Sequence, residues 1–444
     1  MAGGTFTVQN KLIPGAYFKF KAAPRSRGNL SLRGTVALPL VLPWGGTGKA
    51  IPITADDFLG GQAQDVIGLT PFDDTDSAKM LSEAFKGAYR AFVYRINEGG
   101  IKAFCELADD ITATALYGGS YGNNLMVSVA LQPTGIYRVT TLVNNVIKDI
   151  QDVDAVADFK ENGWIILTGS GDFEPTVGVP LTGGTDGSAG STAYTGFFDT
   201  MAMEQWDTMA IPDTSAASQA KAYIKGLHEK EGRWGVQAVV NNLIGADYEG
   251  IINTKGQGYT IGATAITPEI FVYTVAGLTA GAQMWESNTN RVIEGATGII
   301  NPIKTSELES ALLGGYFALI RRQDQSIAIL QDINSLTTFT PDRPKDWRKN
   351  RPFRVMHGLA ASLQKLFEVT YQGKIDNNQS GRMTFKADAI KLFNDAQDLN
   401  ALSEFESATD LSVEKGEDIE AVVAYYKVTP VDSMEILYNT ITLK

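Results

Sequence analysis

The sequence predicts a multidomain α+β protein: a central α/β domain interrupted by an inserted small β-sandwich, then a small α+β C-terminal domain, with extended arms at both ends. Three observations predict it. The 444 residues exceed one ordinary domain. Near residue 100 the pattern passes from strand–helix–strand to short strands separated by Gly and Asn turns, and near residue 183 it passes back. Near Pro341 a third texture begins, two helices followed by two strands. The expected parts are an N-terminal arm (1–24), the central domain (25–97 and 183–340), the β-sandwich (98–182) and the C-terminal domain with its terminal strand (341–444).

Thr5 to Ile13 reads as one short extended segment, with Phe6 and Val8 on one face and Leu12 further along, ended by Pro14-Gly15. Leu30 to Trp44 reads as a buried strand broken by Pro39 and Pro43. Asp73 to Arg90 is expected to be helical, because Met80, Leu81, Ala84, Phe85 and Ala88 recur at spacings of three and four. Ala91 to Ile96 follows as a strand. The insert offers the turn GGSYGNN (Gly118 to Asn124) and the strands LMVSVAL, YRVTTLV and WIILTGS. After the glycine-rich run Val177 to Tyr194, helices are expected over Tyr194 to Met209, Ser215 to Glu231, Pro268 to Gly281 and Ser306 to Gly315, the third with small residues for close packing. MAIP, WGVQAVV, YFALIRR and QSIAILQ read as strands. In the last domain His357 to Val369 and much of Phe385 to Phe405 read as helices, and Ile419 to Val428 and Met434 to Leu443 as strands.

Composition excludes several functions. The formal charge is -12, which argues against nucleic acid as principal partner and against a polybasic membrane anchor. One cysteine, Cys105, permits no intrachain disulfide. The first residues lack a basic region followed by an apolar core, so no secretory signal is expected. Folding in a reducing cytoplasm fits these features.

No catalytic, cofactor-binding or metal-binding residues are nominated. GGTGKA (Gly45 to Ala50) resembles a phosphate loop only superficially, since Pro43 stands where the first glycine belongs and Ala50 where the magnesium-binding hydroxyl belongs. His228 and His357 are the only histidines. No G-x-S-x-G elbow accompanies them. They cannot build a Cys/His zinc site with one cysteine. Asp56-Asp57, Asp73-Asp74 and Asp109-Asp110 meet no EF-hand spacing and read as helix starts or solvated turns.

Two local features remain. The C-terminal strand carries apolar residues on both faces: Ile436, Tyr438, Thr440 and Thr442 on one, Leu437, Ile441 and Leu443 on the other with Asn439 between them. Such a strand belongs inside a sheet, either its own or that of a neighbouring chain by β-augmentation. The second is a basic cluster in an acidic protein: Arg343, Lys345, Arg348, Lys349, Arg351 and Arg354. It is either a solvated linker or an interface for an acidic face, for which Glu404, Glu406, Asp410 and Glu414 are candidates.

Seven segments in order resemble the contractile phage tail sheath family, in the branch from phages, defective prophages and phage-tail-like particles of Gram-positive bacteria. They are RGTVALPLVLPWG (33–45), GGSYGNNLMVSV (118–129), LTGGTDG (181–187), VAGLTAGAQMWESNTN (275–290), INSLTTFTPDRPKDWRKNRPFRV (333–355), YQGKIDNNQSGRMTFKADAI (371–390) and TPVDSMEILYNTITL (429–443). His357 departs from an expected acidic residue, and GNN from a commoner GND.

The resemblance implies a structural protomer rather than an enzyme, without cofactor. It implies stacked six-membered rings around an inner tube, contraction that drives the tube through an envelope, and terminal arms paired with strands of neighbours. The implied partners are subunits of the same and adjacent rings, the tube protein, and baseplate and terminator proteins, with no nucleic acid and no membrane anchoring. Synthesis in the host bacterial cytoplasm and assembly into a virion or particle tail follow from the same resemblance. A tail terminator or baseplate adaptor is the alternative, and an α/β hydrolase-like enzyme the lesser one.

Overall fold

Strands that are apolar without alternation must be covered on both faces, and that requirement organises the central domain. The computed structural model describes residues 33–190 and 192–442, together with the backbone of 2–5 and 15–18. It places Thr35–Leu40 (β1), Ala50–Thr54 (β2), Arg90–Arg95 (β3), Thr208–Ile211 (β4), Gln237–Asn241 (β5), Ile251–Thr254 (β6) and Tyr316–Phe317 (β7) in one seven-stranded sheet, in the spatial order β7-β6-β5-β4-β1-β3-β2. All neighbours are parallel except β2, which runs antiparallel to β3. Every residue of β1, β4, β5 and β6 is buried.

Helices cover both faces. On one, Asp76–Ala84 (α1) and Pro268–Gly281 (α4) pack with Phe58, Leu81 and Phe271 into one core. On the other, Ala193–Met201 (α2) and Ala217–Lys230 (α3) bury Phe197, Ile224 and Leu227. α1 and α4 approach with backbone nearly in contact. A Cβ at Gly277 would lie 1.9 Å from the Ala84 carbonyl oxygen, and one at Gly281 2.0 Å from that of Gly87. The small-residue surface expected of Pro268 to Gly281 is what permits this crossing.

The insert is a sandwich of two sheets. One holds Val146–Val153, Tyr137–Val143, Leu125–Leu131 and Thr176–Pro180, and the other Ile165–Gly169, Ile111–Ala115 and Phe104–Ala108. Its alternating strands bury Val127, Val129, Val139, Ile111 and Ala113. Trp44, carried in from the loop after β1, is fully buried in this core, stacked on Trp164 at 6.0 Å and edge-on to Tyr117 at 5.1 Å. The two glycine motifs meet where the chain enters and leaves the insert. Asn123 donates to the Gly184 carbonyl at 2.9 Å and accepts from the Gly184 N–H at 2.8 Å. Gly119 has φ +145° and its Cβ position lies 1.9 Å from the Pro43 carbonyl oxygen, so only glycine fits there.

The chain divides into two compact units, one of Leu32–Ala361 with Thr429–Lys444, the other of Met1–Ser31 with Ser362–Val428. The second unit is built on the helix Gln379–Asp398, N-capped by Asn378, whose side chain accepts from Gly381 N at 2.9 Å. Against it packs the hairpin Leu411–Lys415 with Val422–Tyr426, through Phe393, Phe405 and Tyr426 with ring centroids 5.0–5.1 Å apart. The helix occupies much of the expected Phe385 to Phe405 and ends at Asp398, after which Asn400 adopts φ +57° and turns the chain.

Near the N-terminus Ala2–Thr5 pairs in parallel with Gly15–Phe18, while the expected segment Thr5 to Ile13, with Phe6, Val8 and Leu12, lies outside the described residues except for Thr5. Within the single chain, residues 431–442 join no sheet among the described residues, so the expected strand over Met434 to Leu443 has no partner there. A strand is defined by a ladder partner, and no partner for these residues is found among the described residues.

Candidate assembly interface

The C-terminal tail is held by residues 432–435, chiefly by Glu435. Glu435 turns inward while the residues around it face solvent. Its carboxylate accepts from the Lys349 ammonium, from Gln331 Nε2 at 2.5 Å and from Thr289 Oγ1 at 2.8 Å. Lys349 also lies 3.6 Å from Asp432, and Ser433 is 3.3 Å from Ser287. Burial alone would raise the Glu435 pKa, but the hydrogen bonds from Lys349, Gln331 and Thr289 outweigh it and hold the carboxyl below its ordinary value. Among the described residues the side chains beside and beyond Glu435 are open to solvent: Met434, Ile436, Leu437, Tyr438 and Ile441 are each at least 72% exposed. Leu443 lies outside the described residues. Soluble chains rarely leave so contiguous an apolar segment in water, and one that does marks an interaction site.

Beneath the tail's anchor lies a buried polar network. Asp332 accepts from Arg354 Nη2 at 2.8 Å, from Asn350 Nδ2 at 2.8 Å and from the Asn288 N–H at 3.0 Å. Arg354 also donates to the Glu286 carbonyl at 2.8 Å. Burial pushes the Asp332 pKa up, but the Arg354 charge and these donors overcome it, so the carboxyl sits below its usual range.

This geometry sorts the basic cluster. Arg354 is fully buried, and Arg348 and Arg351 are also buried. They do not stand on a surface patch, as the sequence reading had all six doing. The reason is the helix Asn350–Leu366 (α5), whose first turns face inward, so that Arg354 meets an aspartate 22 residues earlier in the chain. Arg343 is half exposed and pairs with Glu249 at 3.3 Å. Lys349 is used by the tail. Lys345 is exposed and has no ion-pair partner among the described residues. Of the acidic candidates, Glu404, Glu406 and Glu414 are exposed, and Asp410 caps its own loop by accepting from Glu406 N at 2.9 Å. They belong to the second unit.

The histidines are structural side chains. His228 accepts from the Tyr248 hydroxyl at Nδ1, 2.8 Å, and donates from Nε2 to the Val236 carbonyl, 2.8 Å. His357 is enclosed by Phe353 at 4.1 Å, Trp347 at 5.7 Å, Trp234 at 6.0 Å and His228 at 5.7 Å between centroids. In an open α/β sheet the usual ligand crevice lies at the carboxyl ends of the strands. Here that crevice is lined by Val41, Asp73, Asp76, Ser77, Tyr121 and Asp186 among others, with no histidine, cysteine or basic residue in its wall. Ser77 Oγ is occupied donating to the Val41 carbonyl at 2.6 Å. The sequence had suggested neither the Glu435 anchor nor the Asp332 network. Both join residues too far apart in the chain for any local pattern to reveal.

Three family models match in chain order: the phage tail sheath protein beta-sandwich domain over residues 98–186, the central domain over 187–335 and the C-terminal domain over 342–444. The chain is 30% identical to the phage-like element PBSX protein XkdK of Bacillus subtilis over 99% of each. The chain belongs to the phage tail sheath protein family. Among solved structures, the sheath tail protein of Desulfitobacterium hafniense superimposes with TM-score 0.79 at 32% identity, covering 95% of this chain and 97% of that one. The sheath tail protein from Listeria innocua gives TM-score 0.80 at 30% identity, covering 91% and 93%. The sheath subunit is therefore a structural component of a contractile tail, and its interfaces are where its function lies.

Proposed function

We propose that the residues after Glu435 are a donated strand, which joins a sheet edge of a neighbouring sheath subunit and keeps successive subunits connected as the sheath contracts. The observation that carries this is the exposed apolar tail, with no strand partner among the described residues, leaving the subunit after the Glu435 contact. β-augmentation supplies what the tail lacks, main-chain hydrogen bonds and cover for both faces. The hairpin Leu411–Lys415 with Val422–Tyr426 supports the reading from the accepting side. It is a two-stranded sheet among the described residues, with edges available and Val423 and Tyr425 exposed. The N-terminal arm, with Phe6, Val8 and Leu12, serves as a second donor. Rings of six subunits stack around the inner tube, with tube, baseplate and terminator proteins as the other partners. The chain is made in the bacterial cytoplasm and assembled there into the tail.

Negative-stain microscopy of the full chain and of a chain ending at Glu435, each with tube protein and baseplate, tests the reading. The full chain is expected to form hollow tubes with six-fold end views, and the shortened chain to remain folded without forming connected tubes. Normal tubes from the shortened chain would refute the donated strand.

A further inference from the structure

A strand offered to another chain must be offered in one register. Because side chains alternate faces, a slip of one residue exchanges the two faces. In most strands that slip is forbidden by a polar face. In this tail it is not, because both faces mix apolar and polar residues, Ile436, Tyr438, Thr440 and Thr442 on one and Leu437, Asn439, Ile441 and Leu443 on the other, and neither face is the polar one. Its own pattern therefore selects register weakly.

We propose that Glu435 is the register pin of the C-terminal strand: its carboxylate, seated among Lys349, Gln331 and Thr289, fixes the point from which Ile436 onward leaves the subunit. This rests on the donated-strand reading and adds to it the residue that sets the alignment. Met434 and Ile436 on either side are exposed, so Glu435 alone grips the body of the subunit through its side chain at this point, with Asp432 and Ser433 making the preceding contacts. Each residue of extended chain spans about 3.3 Å. With the pin one residue before the strand begins, a one-residue slip cannot be taken up as slack.

Lys349 makes the pin specific. Its ammonium faces both Asp432 and Glu435, two acidic residues three positions apart in the tail. A tail displaced by one residue would bring Met434 or Ile436 to the Lys349 site, leaving a charged group facing a methyl group in a partly buried place. That cost opposes the slip where the strand's own pattern does not.

The test compares Glu435→Ala, the near-isosteric Glu435→Gln and a deletion of residues 436–444, each in the full chain polymerised around its tube. Glu435→Ala keeps the donated strand, so tubes are expected, but with a spread of axial rise in cryo-microscopy. They should dissociate about ten-fold faster in mild denaturant, the loss expected for one charged hydrogen-bonded group. Glu435→Gln should fall between, and hydrogen exchange of peptides covering 429–435 should rise in the same order. Glu435→Ala or Glu435→Gln tubes with the order and lifetime of the parent, beside a deletion that forms none, would overturn the pin and leave strand donation standing. Intact tubes from the deletion would overturn both.

Discussion

Arg354 and Asp332 form an ion pair at 2.8 Å with side chains 0% and 1% exposed. The pair ties the second turn of α5 to the loop that follows Ile327–Ile329, and Asn350 and Asn288 complete the carboxylate's shell. Removing one partner strands a charge where water cannot reach it. Arg354→Met is therefore expected to destabilise the isolated subunit by about 3–5 kcal/mol, whereas Arg354→Met with Asp332→Asn should recover part of the loss. Urea titrations of the single and double variants check this. A single variant as stable as the parent would mean the pair contributes nothing.

The buried histidine pair makes stability depend on pH. Burial first, then the neighbouring His228, Arg33 and Arg343, hold the His357 pKa down to about 3. Burial lowers His228 as well. Their folded values lie below the unfolded value of about 6.5. In that interval the unfolded chain binds more protons than the folded one. The stability is thus fully present above about pH 6.5 and is lost as pH falls toward the folded value, by up to about 1.4 kcal/mol per pH unit for His357 alone. Denaturation midpoints between pH 7 and 5 should fall, and His357→Phe, which suits the surrounding Phe353, Trp234 and Trp347, should flatten the dependence. An unchanged slope would refute the assignment.

How much of this could be read from the chain differs by element. The central strands and the α3 and α4 helices were legible, because unbroken apolar runs and i, i+3, i+4 spacing act locally. β6 and the hairpin of Gly258–Ile261 with Thr264–Ile266 were not. IINT and GYTI are short and mixed, and become strands by joining sheets already formed. Val146–Val153 was missed because VIKDIQDV exposes most of its residues at a sheet edge. The basic segment was legible as a charge anomaly, but not which charges are internal. Lys345 and Arg354 look alike in sequence, and only the inward turn of α5 separates them. The tail's apolar alternation was visible, while its anchor at Glu435 needed Thr289, Gln331 and Lys349 brought together by the fold.

The crossing of α1 and α4 should be intolerant of any side chain at its centre. At Gly277 the obstacle is the backbone of Ala84, which no rotamer change can move. Gly277→Ala gains helix propensity, about 1 kcal/mol, yet forces the helices apart, and overpacking of this kind costs about 1–3 kcal/mol or more. The net expectation is a lower melting temperature, measured by scanning calorimetry. Gly226→Ala in α3, where a Cβ meets nothing within 4 Å, is the control and should not destabilise. A Gly277→Ala chain as stable as its parent would show that the two helices can separate freely.

Lys345 offers the cleanest separation of assembly from folding in the basic segment. It is exposed and makes no ion pair among the described residues, whereas Arg343 and Lys349 serve Glu249 and Glu435. Reversing its charge should change subunit stability by no more than about 0.5 kcal/mol. If the segment meets an acidic face of another subunit or of the tube, Lys345→Glu should slow tube growth at low salt. The difference from the parent should shrink as ionic strength rises, because the Debye length falls from about 30 Å at 0.01 M to about 8 Å at 0.15 M. Light scattering during polymerisation at both salt concentrations measures it. Equal growth of parent and variant at 0.01 M salt would remove Lys345 from the interface and return it to the solvated linker.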